Sequence, residues 1–199
     1  MTVRAVLLIA AVCGGSIVRV PAAVAEIRVY RLDPAATEVR FQLDATLHKV
    51  RGTAALARGE IRFDRDTGEA AGEVVVDARS AETGNAKRDR DMHVKVLESE
   101  RFPEIVLVVD GFAGDFDPAA SSKVVVSARL QLHGAEHPLR LEMTLEPLSA
   151  SGGSGLAVAT AFSVPYVEWG MKDPSKALLR VGKKVDVTIA ARGSLTVAD

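Results

Sequence analysis

The amino-acid sequence predicts an all-β protein, folded as an antiparallel β-barrel with one or two short helical segments. Three observations support this prediction. Apolar and polar residues alternate along several segments, as they do in strands that bury one face. Stretches of turn composition separate these segments, and no long amphipathic helix is available to cover a sheet from outside. The apolar faces of about nine strands must therefore cover one another.

The first 25 residues have the pattern of a secretory signal peptide. A short basic start, MTVR, precedes the apolar run AVLLIAAVCGGSIV, and the small-residue tripeptide at 23–25 follows it. Cleavage is expected before Glu26, which leaves residues 26–199 as one folded domain. An uncleaved membrane anchor is the alternative, but two glycines and an arginine interrupt the apolar run.

The composition excludes several classes of protein. The chain has 25 basic and 26 acidic residues without a basic cluster, so a nucleic-acid partner is not expected. The only cysteine, Cys13, lies inside the predicted signal peptide, so the mature chain has no disulfide framework. No later run is apolar and long enough for stable membrane insertion after cleavage.

The strands follow in order along the chain. The clearest alternation begins at Val39, Val124, Leu139 and Val185, and in each segment every second residue is apolar. Shorter strands are predicted at 27–32, 60–64, 72–78, 104–112 and 155–162. An antiparallel sheet of about eight strands that closes into a barrel loses its exposed edges, and it is wide enough to hold a ligand or to be filled by side chains.

The phase of the alternation predicts which side chains face the interior. The residues expected inside include Phe41, Leu43, Leu130, Leu132, Leu141 and Ile189, and those expected outside include Arg40, Arg129, Glu142 and Asp186. The lining is expected to be aliphatic and small, and the small residues that recur in the strands leave open whether the interior is packed solid. They are Ala45, Ala128, Ala157, Ala159, Ala161 and Ala191.

Two long connections interrupt the strand pattern. Residues 83–103, TGNAKRDRDMHVKVLESERFP, combine many charges with a narrow apolar stripe, and Thr83 or Asn85 can cap a helix there. An ordered lid over one barrel end is expected, and these residues are called the lid segment below. The second connection, residues 163–185, contains the only tryptophan, Trp169. It can wrap an apolar ligand or simply plug the barrel end.

The lid segment also carries a recognisable motif. It reads TGN-x-x-RD-x-x-M-H-x-x-x-L and ends in Phe-Pro, and it stands between a VRG at residues 50–52 and an LxxHG at residues 130–134. In this order, the features resemble the YceI-like family of secreted, lipocalin-like barrels that bind isoprenoid or other long-chain lipids. The resemblance spans residues 26–199 and implies a lipocalin-like barrel, a periplasmic location and a lipid ligand. It implies no cofactor besides such a lipid, and it leaves a homodimer open.

The predicted ligand-binding residues come from the inner strand face and the two connections. The apolar stripe of the lid segment is expected to face the barrel mouth, with Arg88 and Asp89 anchoring the segment and His93 near the ligand's polar head. The full set is Phe41, Leu43, Arg88, Asp89, Met92, His93, Val96, Leu97, Phe102, Phe162, Trp169 and Met171.

Other functions remain open from the sequence. Asp89 and His93 are four residues apart and could form the acid–base pair of a lipid-modifying hydrolase or isomerase. A filled barrel that contacts partner proteins is a further alternative. His133, Glu136 and His137 could hold a metal ion around a hairpin turn, but their spacing alone is weak support, and neither a metal site nor a catalytic residue is predicted.

Overall fold

The computed structural model describes residues 26–46, 48–148, 155–176 and 180–198. The predicted signal peptide lies outside the described residues, and so does Leu47, the last apolar position expected in the strand that begins at Val39. Within them the chain forms nine strands, one α-helix and two single turns of other helix types. The strands are β1 (Ile27–Leu32), β2 (Glu38–Asp44), β3 (Lys49–Asp64), β4 (Ala70–Glu82), β5 (Glu104–Ala113), β6 (Ser122–Leu132), β7 (Ala135–Leu148), β8 (Gly155–Val164) and β9 (Val185–Val197). Helix α1 (Ala86–Met92) and a π-helical turn (His93–Leu97) lie within the lid segment, and a 3₁₀ turn (Pro34–Ala36) joins β1 to β2.

The nine strands close into an antiparallel barrel with eight strand positions. From β2 the pairing runs through β9, β8, β7, β6, β5 and β4 to β3, which pairs again with β2. Strand β1 also lies between β3 and β9, so β1 and β2 share one position end to end. The predicted all-β barrel with short helical segments is confirmed.

The alternation places side chains as predicted on the best-defined strands. Along β6 every second side chain from Ser122 to Leu132 is buried, and Leu141 of β7, directly opposite Val126, is 1% exposed. Arg129 lies outside, where hydrogen bonds from its guanidinium to Asp110 and Glu136 raise the pKa of the arginine.

Two predictions about the strands were wrong. The strand predicted at 60–64 is longer than expected and begins at Lys49. Register shifts within β3 move the inward-facing positions from even to odd residue numbers between Leu56 and Ile61, and this change hides the alternation in the sequence. On β8, three of the alanines expected to line the interior are not buried. The buried positions are Leu156, Thr160 and Val164, in the opposite phase from Ala157, Ala159 and Ala161.

The two ends of the barrel are closed by different elements. The lid end carries the lid segment, the β6–β7 hairpin and the long β8–β9 connection. At the other end, called the aromatic end here, the ring of Phe63 makes edge-to-face contacts with Phe112 and Phe116 at centroid distances of 5.8 and 5.4 Å. Within the described residues, no helix is both long and apolar enough to cross a membrane.

Candidate ligand site in the barrel interior

An apolar cavity of about 110 Å³ lies inside the barrel, in the half nearer the aromatic end. Its wall is built from alternate residues of nearly every strand. The residues that line it are Tyr30, Leu32, Ile61, Phe63, Ala70, Val74, Leu107, Val109, Phe112, Phe116, Val124, Val126, Met143, Leu145, Leu156, Val158, Thr160, Ile189 and Ala191.

The two hydroxyl groups in this wall are engaged with the backbone. Tyr30 donates a hydrogen bond to the carbonyl oxygen of Leu156 at 3.2 Å, and Thr160 donates to that of Glu142 at 2.8 Å. Burial raises the pKa of Tyr30 above its usual range, so this phenol stays neutral. The cavity therefore presents mainly carbon atoms to a ligand, and it suits a hydrocarbon group.

The β8–β9 connection closes the interior at the lid end. Tyr166 and Met171, each 4% exposed, belong to the buried interior cluster, and Trp169 packs against that cluster. The cluster consists of these two residues with Leu107, Val109, Val124, Val126, Ala128, Leu130, Leu132, Leu141 and Val164. The hydroxyl of Tyr166 donates to the carbonyl of Gly182 at 2.9 Å, and burial, with a smaller contribution from Asp173, raises the pKa of Tyr166 to about 12.

The lid segment is held to the end of β4 through Thr83. Asn85 caps helix α1, because its side chain accepts from the backbone N–H of Arg88 at 3.0 Å. Arg88 donates to the hydroxyl and carbonyl oxygens of Thr83 at 2.7 and 3.0 Å. Asp89 accepts from the backbone N–H of Thr83 at 3.0 Å and from its hydroxyl. These charge-assisted bonds fix the start of the segment.

Beyond α1, the lid segment turns one side chain toward the interior. Val96 packs against the interior cluster, and Met92 and Leu97 are half-buried. Val94, two residues before Val96, is 65% exposed. On the solvent side the ammonium of Lys95 lowers the pKa of the Asp91 carboxyl through a hydrogen bond.

The histidine of the lid segment is engaged within that segment. The Nδ1 atom of His93 lies 3.0 Å from the hydroxyl oxygen of the buried Ser99. The carboxylate of Asp89 is bound to Thr83 instead. The hydrogen bonds of Asp89 and His93 thus run to different partners, and the predicted acid–base alternative gains no support from this geometry.

The β6–β7 hairpin docks on the end of the lid segment. His133 has a φ of 53°, and its Nε2 atom lies 2.7 Å from a carboxylate oxygen of Glu98, which itself has a φ of 45°. The ring of Phe102 lies over Gly134, which has a φ of 80°, and 4.6 Å from the imidazole of His133. A Cβ atom on Gly134 would come within 2.8 Å of this ring, so only glycine fits the contact.

His137, which the sequence suggested only as a weak metal ligand, lies on the inner face of β7. Its ring stacks on the indole of Trp169 with centroids 3.9 Å apart and planes 3° from parallel. Glu136 points to the opposite face, where it bonds Arg129, and His133 is paired with Glu98. Within the described residues no group of three or more His, Cys, Asp or Glu could hold a metal ion.

The predicted site residues gather at the lid end and do not line the cavity. Phe162 packs against the interior cluster. The ring of Phe41 covers Gly52 beside an open depression of about 310 Å³ edged by Arg40 and Arg51, and Leu43 is half-buried opposite Val50. The alternation in the sequence predicts that several cavity residues face inward. It does not predict which part of the inner face borders empty space.

The fold agrees with those of solved structures. One is a polyisoprenoid binding domain from Saccharophagus degradans implicated in plant cell wall breakdown; it is 21% identical, with a TM-score of 0.63 over 84% of this chain and 98% of that one. BcnA of Burkholderia cenocepacia is 14% identical, with a TM-score of 0.65 over 81% of this chain and 98% of that one. The YCEI protein of Campylobacter jejuni is 13% identical, with a TM-score of 0.55 over 77% of this chain and 88% of that one.

The comparison of sequences points the same way. Among curated proteins no match was found. The family model of the YceI-like domain matches residues 30–192, which include every strand position of the closed barrel and both long connections. The chain therefore belongs to the YceI-like family.

Proposed function

We propose that this protein binds a long-chain lipid of isoprenoid, quinone-like or fatty type inside its barrel, after export to the periplasm or secretion. The observation that carries the proposal is the cavity, whose wall presents carbon and whose hydroxyl groups are already bonded to the backbone. Hydrocarbon chains gain about 0.8 kcal/mol for each methylene group removed from water. The polyisoprenoid binding described for the domain from Saccharophagus degradans supports this ligand class.

The size of the cavity sets a condition on binding. Its volume of about 110 Å³ is smaller than the roughly 150 Å³ that accommodates benzene in an engineered protein cavity. A long chain therefore needs more of the interior than is empty in this closed form. We place the extra room toward the lid end, where Val96 and Trp169 pack over the interior cluster. Binding thus requires this cover to move.

The first experiment identifies the ligand directly. The protein is purified from the compartment to which it is exported, extracted with organic solvent, and the extract is analysed by mass spectrometry. We expect a long-chain lipid in stoichiometric amount. Recovery of no lipid, combined with no uptake of added long-chain lipids, would contradict the proposal and favour a filled barrel.

A matched pair of variants tests whether the lid segment covers the bound ligand. Val96→Asp places a carboxylate against the interior cluster, whereas Val94→Asp places it in solvent on the same turn. Burial of an unpaired charge is strongly unfavourable, so we expect Val96→Asp to lose lipid retention at least tenfold and Val94→Asp to retain it. Circular dichroism of both variants checks that the barrel is intact. Equal retention by the two folded variants would show that the lid segment does not cover the ligand.

A further inference from the structure

His137 carries a buried hydrogen-bonding atom in its imidazole ring. The Nε2 atom of its ring is inaccessible to solvent and has no hydrogen-bond partner in the described part of the chain. Buried polar side-chain atoms in folded proteins are nearly always hydrogen-bonded, so such an exception indicates a missing partner. The place of His137 in the barrel indicates what that partner is.

The imidazole lies in line with the cavity. His137 shares the inner face of β7 with Leu139, Leu141, Met143 and Leu145, and the last two line the cavity. Because a strand rises about 3.4 Å per residue, the imidazole lies about 20 Å along the strand from Met143. The side chains between them are apolar. A molecule that occupies the cavity and reaches His137 must therefore have a long apolar body with a polar group at one end.

Trp169 covers the imidazole from the lid end. The near-parallel stack, with ring centroids 3.9 Å apart, fixes the plane of the imidazole. Trp169 belongs to the β8–β9 connection, whereas His137 lies in strand β7 and is paired there with Leu130 of β6. Movement of the connection can therefore uncover the Nε2 atom while the strand stays in place. This is the same movement that a long ligand requires.

We infer that His137 binds the polar head of the lipid through its Nε2 atom, and that this head is a neutral hydroxyl or carbonyl group. The inference rests on the proposed lipid-binding function. A neutral imidazole has one N–H donor and one acceptor nitrogen, so Nε2 can bond a hydroxyl in either tautomer and a carbonyl oxygen when it bears the proton. Leu130, directly across from His137 on β6, and Trp169 offer no counter-charge, so an ionised head is disfavoured there.

The test compares two probes that differ in one hydroxyl group. They are radiolabelled geranylgeraniol and the corresponding hydrocarbon, in which hydrogen replaces the hydroxyl. Three variants are used: His137→Phe keeps a ring to stack on Trp169, His137→Gln keeps a side-chain amide, and His48→Phe makes the same change at an exposed histidine. Affinities are measured on purified, delipidated protein, with thermal unfolding as a check on the fold.

We expect wild-type protein to bind the alcohol at least tenfold more tightly than the hydrocarbon, which corresponds to about 1.4 kcal/mol. His137→Phe should lose this preference by weakening alcohol binding alone, and His137→Gln should retain part of it. His48→Phe should behave as wild type. The midpoint of thermal unfolding of ligand-free His137→Phe should not fall, because the variant removes a buried polar atom that has no partner among the described residues.

Three results would overturn the inference. Equal weakening of both probes in folded His137→Phe would show that the imidazole only packs against the ligand. Unchanged alcohol binding in that variant would show that it does not meet the head group. Tighter binding of geranylgeranyl phosphate than of the alcohol, lost in His137→Phe, would show that the head is charged. If wild-type protein binds neither the alcohol nor the hydrocarbon, the proposed function itself fails.

Discussion

Filling the cavity should stabilise the empty protein and weaken lipid binding. Ala191 of β9 is 3% exposed and lines the cavity, and its neighbour Ala190 is exposed on the outside of the same strand. Leucine at either position adds the same three carbon atoms, but at position 191 they enter the empty space. The two substitutions therefore separate the effect of the cavity from that of the added side chain.

The expected magnitudes follow from the area removed from water. At about 0.8 kcal/mol per buried methylene group, three carbons contribute up to about 2.4 kcal/mol to the stability of empty Ala191→Leu. For a domain of this size, that raises the midpoint of thermal unfolding by up to about 10 °C. The same three carbons displace ligand carbon from the cavity, so affinity for a long-chain lipid should fall about fiftyfold. Ala190→Leu should change neither quantity appreciably.

Thermal unfolding and equilibrium binding of radiolabelled geranylgeraniol measure the two effects on the same protein preparations. Stability and affinity should move in opposite directions in Ala191→Leu. The reasoning would be refuted if Ala191→Leu gained stability and still bound the lipid as wild type does, because the ligand would then lie outside the cavity. It would also be refuted if Ala190→Leu weakened binding equally.

Further predictions concern pH, the hairpin and the N-terminus. Because burial raises the pKa of Tyr166 to about 12 and also raises that of Tyr30, the folded state holds these protons more tightly than the unfolded chain, whose tyrosines titrate near 10.0. The contribution of these two tyrosines to the free energy of unfolding should therefore be constant below about pH 9 and fall as pH rises above about 10, and the two Tyr→Phe variants should flatten the alkaline fall in urea titrations. Gly134→Ala should lower the free energy of unfolding by about 1–3 kcal/mol, since it combines a positive φ with a clash against Phe102, and an unchanged urea midpoint would contradict this account of the hairpin. The exported protein should begin at or within a few residues of Glu26, and intact-mass analysis that found residue 1 retained would contradict the predicted cleavage.

Much of the barrel could be predicted from the alternation of apolar residues. On β6 and β7 each strand buries one face, so the inward positions of Leu130 and Leu141 follow from the sequence. The early part of β3 could not be predicted in this way, because register shifts against β4 change the phase after Leu56. Such bulges depend on the neighbouring strand as much as on local sequence.

The lid segment was predicted in outline but not in its contacts. Its capping residue is local in sequence, and Asn85 indeed caps α1. The orientation of the residues after α1 depends on the π-helical turn at His93–Leu97 and on what that turn packs against. As a result, Val96 contacts the interior cluster, whereas the histidine of the motif bonds Ser99.

The sequence by itself determined the class of the protein: an all-β barrel of the YceI-like family with two long connections at one end. Only the tertiary structure decided where the interior is empty and which polar atom of the inner face is buried without a partner among the described residues. Side chains from nearly every strand surround the cavity without filling it. Whether they leave empty space depends on how they pack against one another, and that packing exists only in the closed barrel. The stack of His137 on Trp169 likewise joins residues from different elements, so no local pattern could reveal that the fold buries this imidazole nitrogen without a partner among the described residues.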